Sequence, residues 1–187
     1  MTATTYLREL GTCLTTPVAT FARDAMELDD VMDACVAELS EARGRQSVVH
    51  LVGNGGSASV VAHAQNDLVK SCGIRAMVYQ DVPLLTAYAN DHGYPNGYSD
   101  ALAIWLGEHD VLIAVSSSGA SQNILNAVSV AKSVGCAVIT CTGFQVDNPL
   151  RQLGYLNFYV PSSDYGHVEL THAALLHCLT DRMAHAG

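Results

Sequence analysis

Apolar positions along the chain follow two rhythms that take turns. Mostly apolar runs of strand length lie at Val48–Val52, Ile74–Tyr79, Val111–Val115, Ala137–Thr142 and Leu156–Val160. Between and after them, apolar residues return every three or four positions. That spacing predicts helices at about Ser57–Ser71, Leu84–Ala89, Gly97–Gly107, Gln122–Val134 and Val168–His185, with a helical turn at Asn148–Leu153 and a loop at 90–94. Short apolar runs alternating with helical segments predict an α/β fold, here a doubly wound parallel five-stranded sheet flanked by helices. Ahead of the first strand, Leu7, Leu10 and Leu14, then Leu28, Val31, Cys35 and Leu39, recur at helical spacing. Residues 1–45 are therefore expected to form a helical N-terminal region, interrupted at Pro17 and packed on the 46–187 α/β core or on another subunit.

Length and charge narrow the class. With 187 residues, 49% of them apolar, one domain with a sizeable core is expected. A formal net charge of −9 argues against a nucleic-acid-binding surface. No apolar run is long enough to cross a bilayer, and the first residues lack a signal-peptide core, so a cytoplasmic location is expected. Six cysteines lack CxxC pairs, and most sit in apolar strand or helix patterns, which reads as reduced, buried thiols.

Two strand-to-helix turns carry the candidate chemistry. The first strand runs into Asn54-Gly55-Gly56-Ser57, where glycines admit a close ligand and a helix start offers free N–H donors. The third runs into Ser116-Ser117-Ser118-Gly119, with Ser121 opening the next helix. Each alone is ordinary turn or N-cap chemistry. Together they make a cradle of hydroxyls and amides suited to a phosphate. The spacing is neither that of a dinucleotide fingerprint nor of a P-loop. His63 and Asp67 stand four apart, on one face of the helix behind the glycine turn. Glu169, His172 and His177 lie on the last helix. A carboxylate–imidazole pair on each of two helices suits a divalent metal or a proton-transfer site.

GNGGS at 53–57, Ala89-Asn90-Asp91, and SSSGAS at 116–121 resemble the sugar isomerase (SIS) domain, and within it the bacterial phosphoheptose isomerases, over nearly the whole chain. The resemblance implies an aldose–ketose isomerase acting on sedoheptulose 7-phosphate through an enediolate. It implies phosphate-binding hydroxyls at Ser57, Ser116, Ser118 and Ser121, with Ser117 where Thr is frequent. Asn54 and Asp91 match positions that hold sugar hydroxyls or line the reacting end, and Gly55 and Gly56 complete the turn. A zinc ion, or another divalent metal, one per site, is implied at His63, Asp67, Glu169 and His177. The acid–base pair falls on Asp67 and His177, with Glu169 a second candidate base. Two residues depart from the family pattern, Asp67 for Glu and Glu169 for Gln. Eight helical residues rise about 12 Å, so His172 is a spare ligand if Glu169 and His177 do not meet one ion. The resemblance also implies a homotetramer with sites at subunit interfaces. A non-catalytic protein-binding SIS module, similar to the replication-initiator-associating protein, is the alternative, which His63, Asp67 and His177 argue against. A sugar-phosphate sensor domain of a transcription regulator fits less well, because the chain leaves no room for a helix-turn-helix module.

Overall fold

A computed structural model describes residues 1–185. The five runs read from the sequence are all strands: β3 (Val48–Gly53), β4 (Arg75–Val78), β5 (Val111–Ser116), β6 (Ala137–Thr142) and β7 (Leu156–Tyr159). They pair in parallel in the order β7-β6-β5-β3-β4. Helices α3 (Gly56–Lys70), α4 (Val82–His92), α5 (Gly97–Trp105), α6 (Gln122–Ser133) and α7 (Tyr165–His185) fill the connections, with α1 (Ala3–Thr15) and α2 (Leu28–Arg45) ahead of them. The stretch expected as a helical turn is a 3₁₀ turn at Leu150–Gln152, and the expected loop at 90–94 begins as the end of α4.

The sheet has seven strands, not five. The region expected to be helical contains a hairpin, β1 (Val18–Phe21) and β2 (Asp24–Met26), and β1 lies antiparallel on the open edge of β7. Its two-residue turn, Ala22-Arg23, has both residues at positive φ (48° and 80°) without a glycine. Such a turn carries none of the usual hairpin markers. What holds the hairpin is the β7 edge, more than 130 residues away along the chain.

Alternation along each strand builds two cores. Val111, Ile113 and Val115 face one way, onto Leu39 of α2, Leu68 of α3 and Leu176 of α7. Leu112 and Ala114 face the other way, onto Tyr98 and Leu102 of α5 and Ile124 of α6. This period-two split is why β5 reads as one unbroken apolar run, since both of its faces are covered. At the amino end of the sheet, Asp110 accepts from the Val48 and Gly107 amides and from His50 Nε2. Tyr79 donates to His50 Nδ1 at 2.6 Å, completing a buried polar chain.

His172, on α7, is wholly buried and donates from Nε2 to the Thr142 carbonyl at the end of β6, 3.0 Å away. Burial lowers its pKa from 6.5 to about 4, against the small opposing effect of that hydrogen bond. Between pH 6.5 and 4 the unfolded chain therefore binds more protons than the folded one, so stability rises with pH across that window. The expected loss on going from pH 7 to 4 is about 3 kcal/mol from this group. His50 adds in the same direction, its burial outweighing the Asp110 carboxylate beside it. Urea midpoints measured from pH 4 to 7 should show this slope, and a His172→Gln protein a flatter one. An equally steep profile in that variant would remove His172 as its source.

Candidate active site

The two turns singled out in the sequence meet at the carboxyl ends of β3 and β5, which are paired neighbours in the sheet. Gly53 ends β3 where a side chain has no room, because a Cβ would strike the Ser57 carbonyl. Gly55, at φ 54°, turns the chain into α3. The next strand end is held from below by Asn148, which sits where a Cβ on Gly119 would lie, while the Leu150 amide donates to the Gly119 carbonyl. Between the two turns lies a cavity of about 240 Å³ lined by Asn54, Gly55, Gly56, Ser57, Ser116, Ser117, Ser118 and Ser121, eight of the nine residues expected to bind substrate. The ninth, Asp91, stands exposed on α4, outside this lining, and accepts a hydrogen bond from Asn90.

Ser117 lines the cavity, and its hydroxyl is buried and makes no hydrogen bond within the protein. A buried hydroxyl left unpaired costs about 1–3 kcal/mol, which an acceptor entering the cavity would recover. Asn54 is oriented by a reciprocal amide pair with Asn123, both bonds at 2.9 Å, and by the Tyr94 hydroxyl at 2.9 Å. Asn123 and Tyr94 escaped the sequence reading because they touch Asn54 only through the fold. Tyr165, which also lines the cavity, escaped it too.

The helices α3 and α7 pack together, and residues of both line a second cavity of about 260 Å³. Here the structure joins His63 and Asp67 of α3 to His177 of α7. Asp67 Oδ2 lies 3.5 Å from His63 Nε2 and 3.3 Å from His177 Nδ1. The imidazoles contact edge to face, with ring centres 4.7 Å apart. One donor atom from each residue lies within 4.8 Å of the others. Two imidazole nitrogens and a carboxylate oxygen at this spacing fit a zinc-type ion, with both imidazoles half open to solvent for further ligands.

Of the other two residues considered as ligands, neither is in this group. Glu169 lines the serine cavity, and its carboxylate lies against Gly56 in the first turn of α3, where a Cβ would collide with it. An anion there is favoured by the helix dipole. The spare ligand, His172, is ruled out by its burial on the sheet, where its Nε2 is already committed to Thr142.

The sequence profile of the SIS domain matches residues 8–143. The phosphoheptose isomerase of Burkholderia pseudomallei (strain K96243) is 35% identical over 164 residues, covering 83% of this chain and 80% of that one. That of Helicobacter pylori (strain P12) is 31% identical, covering 82% and 83%. A phosphoheptose isomerase structure from Francisella tularensis superimposes with a TM-score of 0.85 at 22% identity, over 99% of this chain and all of that one. The glycine and serine turns, the doubly wound sheet and these similarities agree, and the chain belongs to the SIS domain family.

Proposed function

We infer that the chain is a sugar-phosphate isomerase that interconverts sedoheptulose 7-phosphate and an aldose heptose 7-phosphate, with the whole of 1–187 acting as one SIS domain. The names of its 31–35% identical relatives support this class of reaction. The observation that carries it is the placing of two cavities along one helix pair, the first lined by Ser57 and Glu169 and the second by His63, Asp67 and His177. Ser57 in the first and His63 in the second are six residues apart on α3, a rise of about 9 Å. An extended chain of seven carbons spans roughly 8 Å before its phosphate is added. A phosphate among the serines thus leaves the carbonyl end of a heptulose beside Asp67 and His177.

At that end the Asp67 carboxylate takes a proton from C1 of the ketose, while His177, through the ring N–H turned away from Asp67, gives one to the C2 oxygen. The enediol collapses when His177 recovers the proton of the C1 hydroxyl and Asp67 returns its own to C2, leaving the aldehyde at C1. His63, Asp67 and His177 would hold the metal, with Glu169 at the edge of the serine cavity, and a bound divalent ion supplies positive charge to the developing enediolate. The hydroxyls of Ser57, Ser116, Ser117, Ser118 and Ser121, with the amides of Gly55 and Gly56, anchor the phosphate. Asn54 is turned towards the sugar by Asn123 and Tyr94. Incubation with sedoheptulose 7-phosphate, with and without zinc, followed by NMR of the products, tests the reading. No conversion of this or any other sugar phosphate would overturn it.

Ser117 gives a sharper check. Ser117→Ala is expected to leave stability unchanged or raise it, because an unpaired buried hydroxyl is removed. It should raise KM by tenfold or more, a charge-assisted hydrogen bond contributing about 1.5–3 kcal/mol. Loss of stability with an unchanged KM would assign the hydroxyl to the fold instead.

Assembly as a homotetramer with sites at subunit interfaces belongs to the same proposal. Leu7 and Leu14 on α1 and Leu170 on α7 are apolar side chains left exposed on the single chain. Such faces are covered in oligomers. Light scattering at micromolar concentration should report a mass well above one chain, and a monomer would refute this. No helix among the described residues is long and apolar enough to cross a membrane, which accords with the proposed cytoplasmic location.

A further inference from the structure

Tyr165 is the first residue of α7 and 61% exposed, an open position for so large an apolar ring. Its surroundings are built to hold it there. The ring meets Phe144 edge to face, with centres 4.7 Å apart. Phe144 is in the left-handed region (φ 57°), a strained conformation for an aromatic residue. It is kept so from both sides. Its amide donates to the Ser162 carbonyl at 2.9 Å, and its carbonyl accepts the Tyr159 hydroxyl at 2.8 Å. Phe144 in turn packs on the buried cluster of Cys13, Val160 and Val168. Tyr165 thus stands on a fixed support, one helical turn before Glu169, and lines the serine cavity.

That cavity is otherwise lined by asparagine, glycine, serine and Glu169, and Tyr165 is its one aromatic side chain among the described residues. A sugar phosphate has two kinds of surface, hydroxyl and phosphate oxygens on one hand and C–H groups on the other. The serines and amides serve the first. Binding sites for such ligands pair a few polar groups with apolar or aromatic surface that takes up the second.

We propose that Tyr165 is a specificity-determining residue of this site, its ring packing against the carbon chain next to the phosphate. The proposal rests on the sugar-phosphate reading above. It separates two ligands that share the phosphate group held by the serines and amides. Inorganic phosphate has no C–H surface and is blind to the ring, whereas sedoheptulose 7-phosphate is not. The side chain is exposed, so its truncation leaves the core intact.

Titration calorimetry of the zinc-loaded protein with sedoheptulose 7-phosphate and with inorganic phosphate tests it. Tyr165→Ala should bind the sugar phosphate about two- to tenfold more weakly, the range expected for one lost aromatic contact, and inorganic phosphate unchanged. Tyr165→Phe should bind both as the wild type does. Unchanged sugar-phosphate affinity in Tyr165→Ala overturns the proposal, as does equal weakening of both ligands, which would mean that the serine turns had moved. A Tyr165→Phe protein as weak as Tyr165→Ala overturns it as well, by assigning the effect to the hydroxyl. Failure of the underlying reading looks different: wild-type protein then binds no sugar phosphate, and both fall, or binds sedoheptulose 7-phosphate without converting it, and the affinities of the variants still decide the role of the ring.

Discussion

Replacing Asp67 by Asn is expected to lower turnover by about 10²–10⁴-fold, the usual contribution of a proton-transfer group, with the fold intact. Asp67 sits between His63 and His177 in the groove of α3 and α7, at the far end from the serine turns. The amide of Asn keeps the shape and loses the basicity, so inorganic phosphate binding should survive. Glu169→Gln supplies the contrast. Glu169 lies against the first turn of α3, outside the His63–Asp67–His177 group, and the family pattern that this chain resembles has Gln at this position. That variant should therefore still bind metal and exchange the substrate's C1 proton with deuterated water. A Glu169→Gln protein that binds metal stoichiometrically but cannot exchange the proton would transfer the role of base to Glu169.

Removal of metal by a chelator is expected to abolish turnover, and zinc to restore it. A readout independent of activity exists. A ligand held by the folded chain at a concentration 100 times its Kd stabilises it by about 2.7 kcal/mol, so zinc should raise the thermal midpoint of the wild type by several degrees. His63→Ala and His177→Ala each delete one of the three clustered donors and should lose most of that shift. Equal shifts in wild type and in both variants would place the ion elsewhere. Lower pH should weaken binding, because protons compete for the imidazole nitrogens.

The strands and most of the helices were legible in the chain because each depends on a local pattern. β5 is an apolar run of strand length, and α6 returns apolar residues at Ile124, Ala127, Val128 and Ala131. The glycine turn at 53–56 and the serine turn at 116–119 were legible for the same reason, since a tight turn needs its residues side by side. So was the His63–Asp67 pair, which one helix brings together by its own period. Contacts between distant segments have no such local signal, and it was the family resemblance that grouped His177 with His63 and Asp67. Pairing of β1 with the edge of β7 turned an expected helical stretch into a hairpin, although its turn residues, Ala22 and Arg23, carry no hairpin signal. Burial against Thr142 removed His172 from the candidate ligands, where spacing alone had kept it. Packing of α7 on α3 brought His177 to Asp67, 110 residues away in the chain, and set Glu169 against Gly56 instead. Local sequence periodicity determines which residues share a face; which faces meet is decided by the packing of the whole core, and the site lies where two such faces meet.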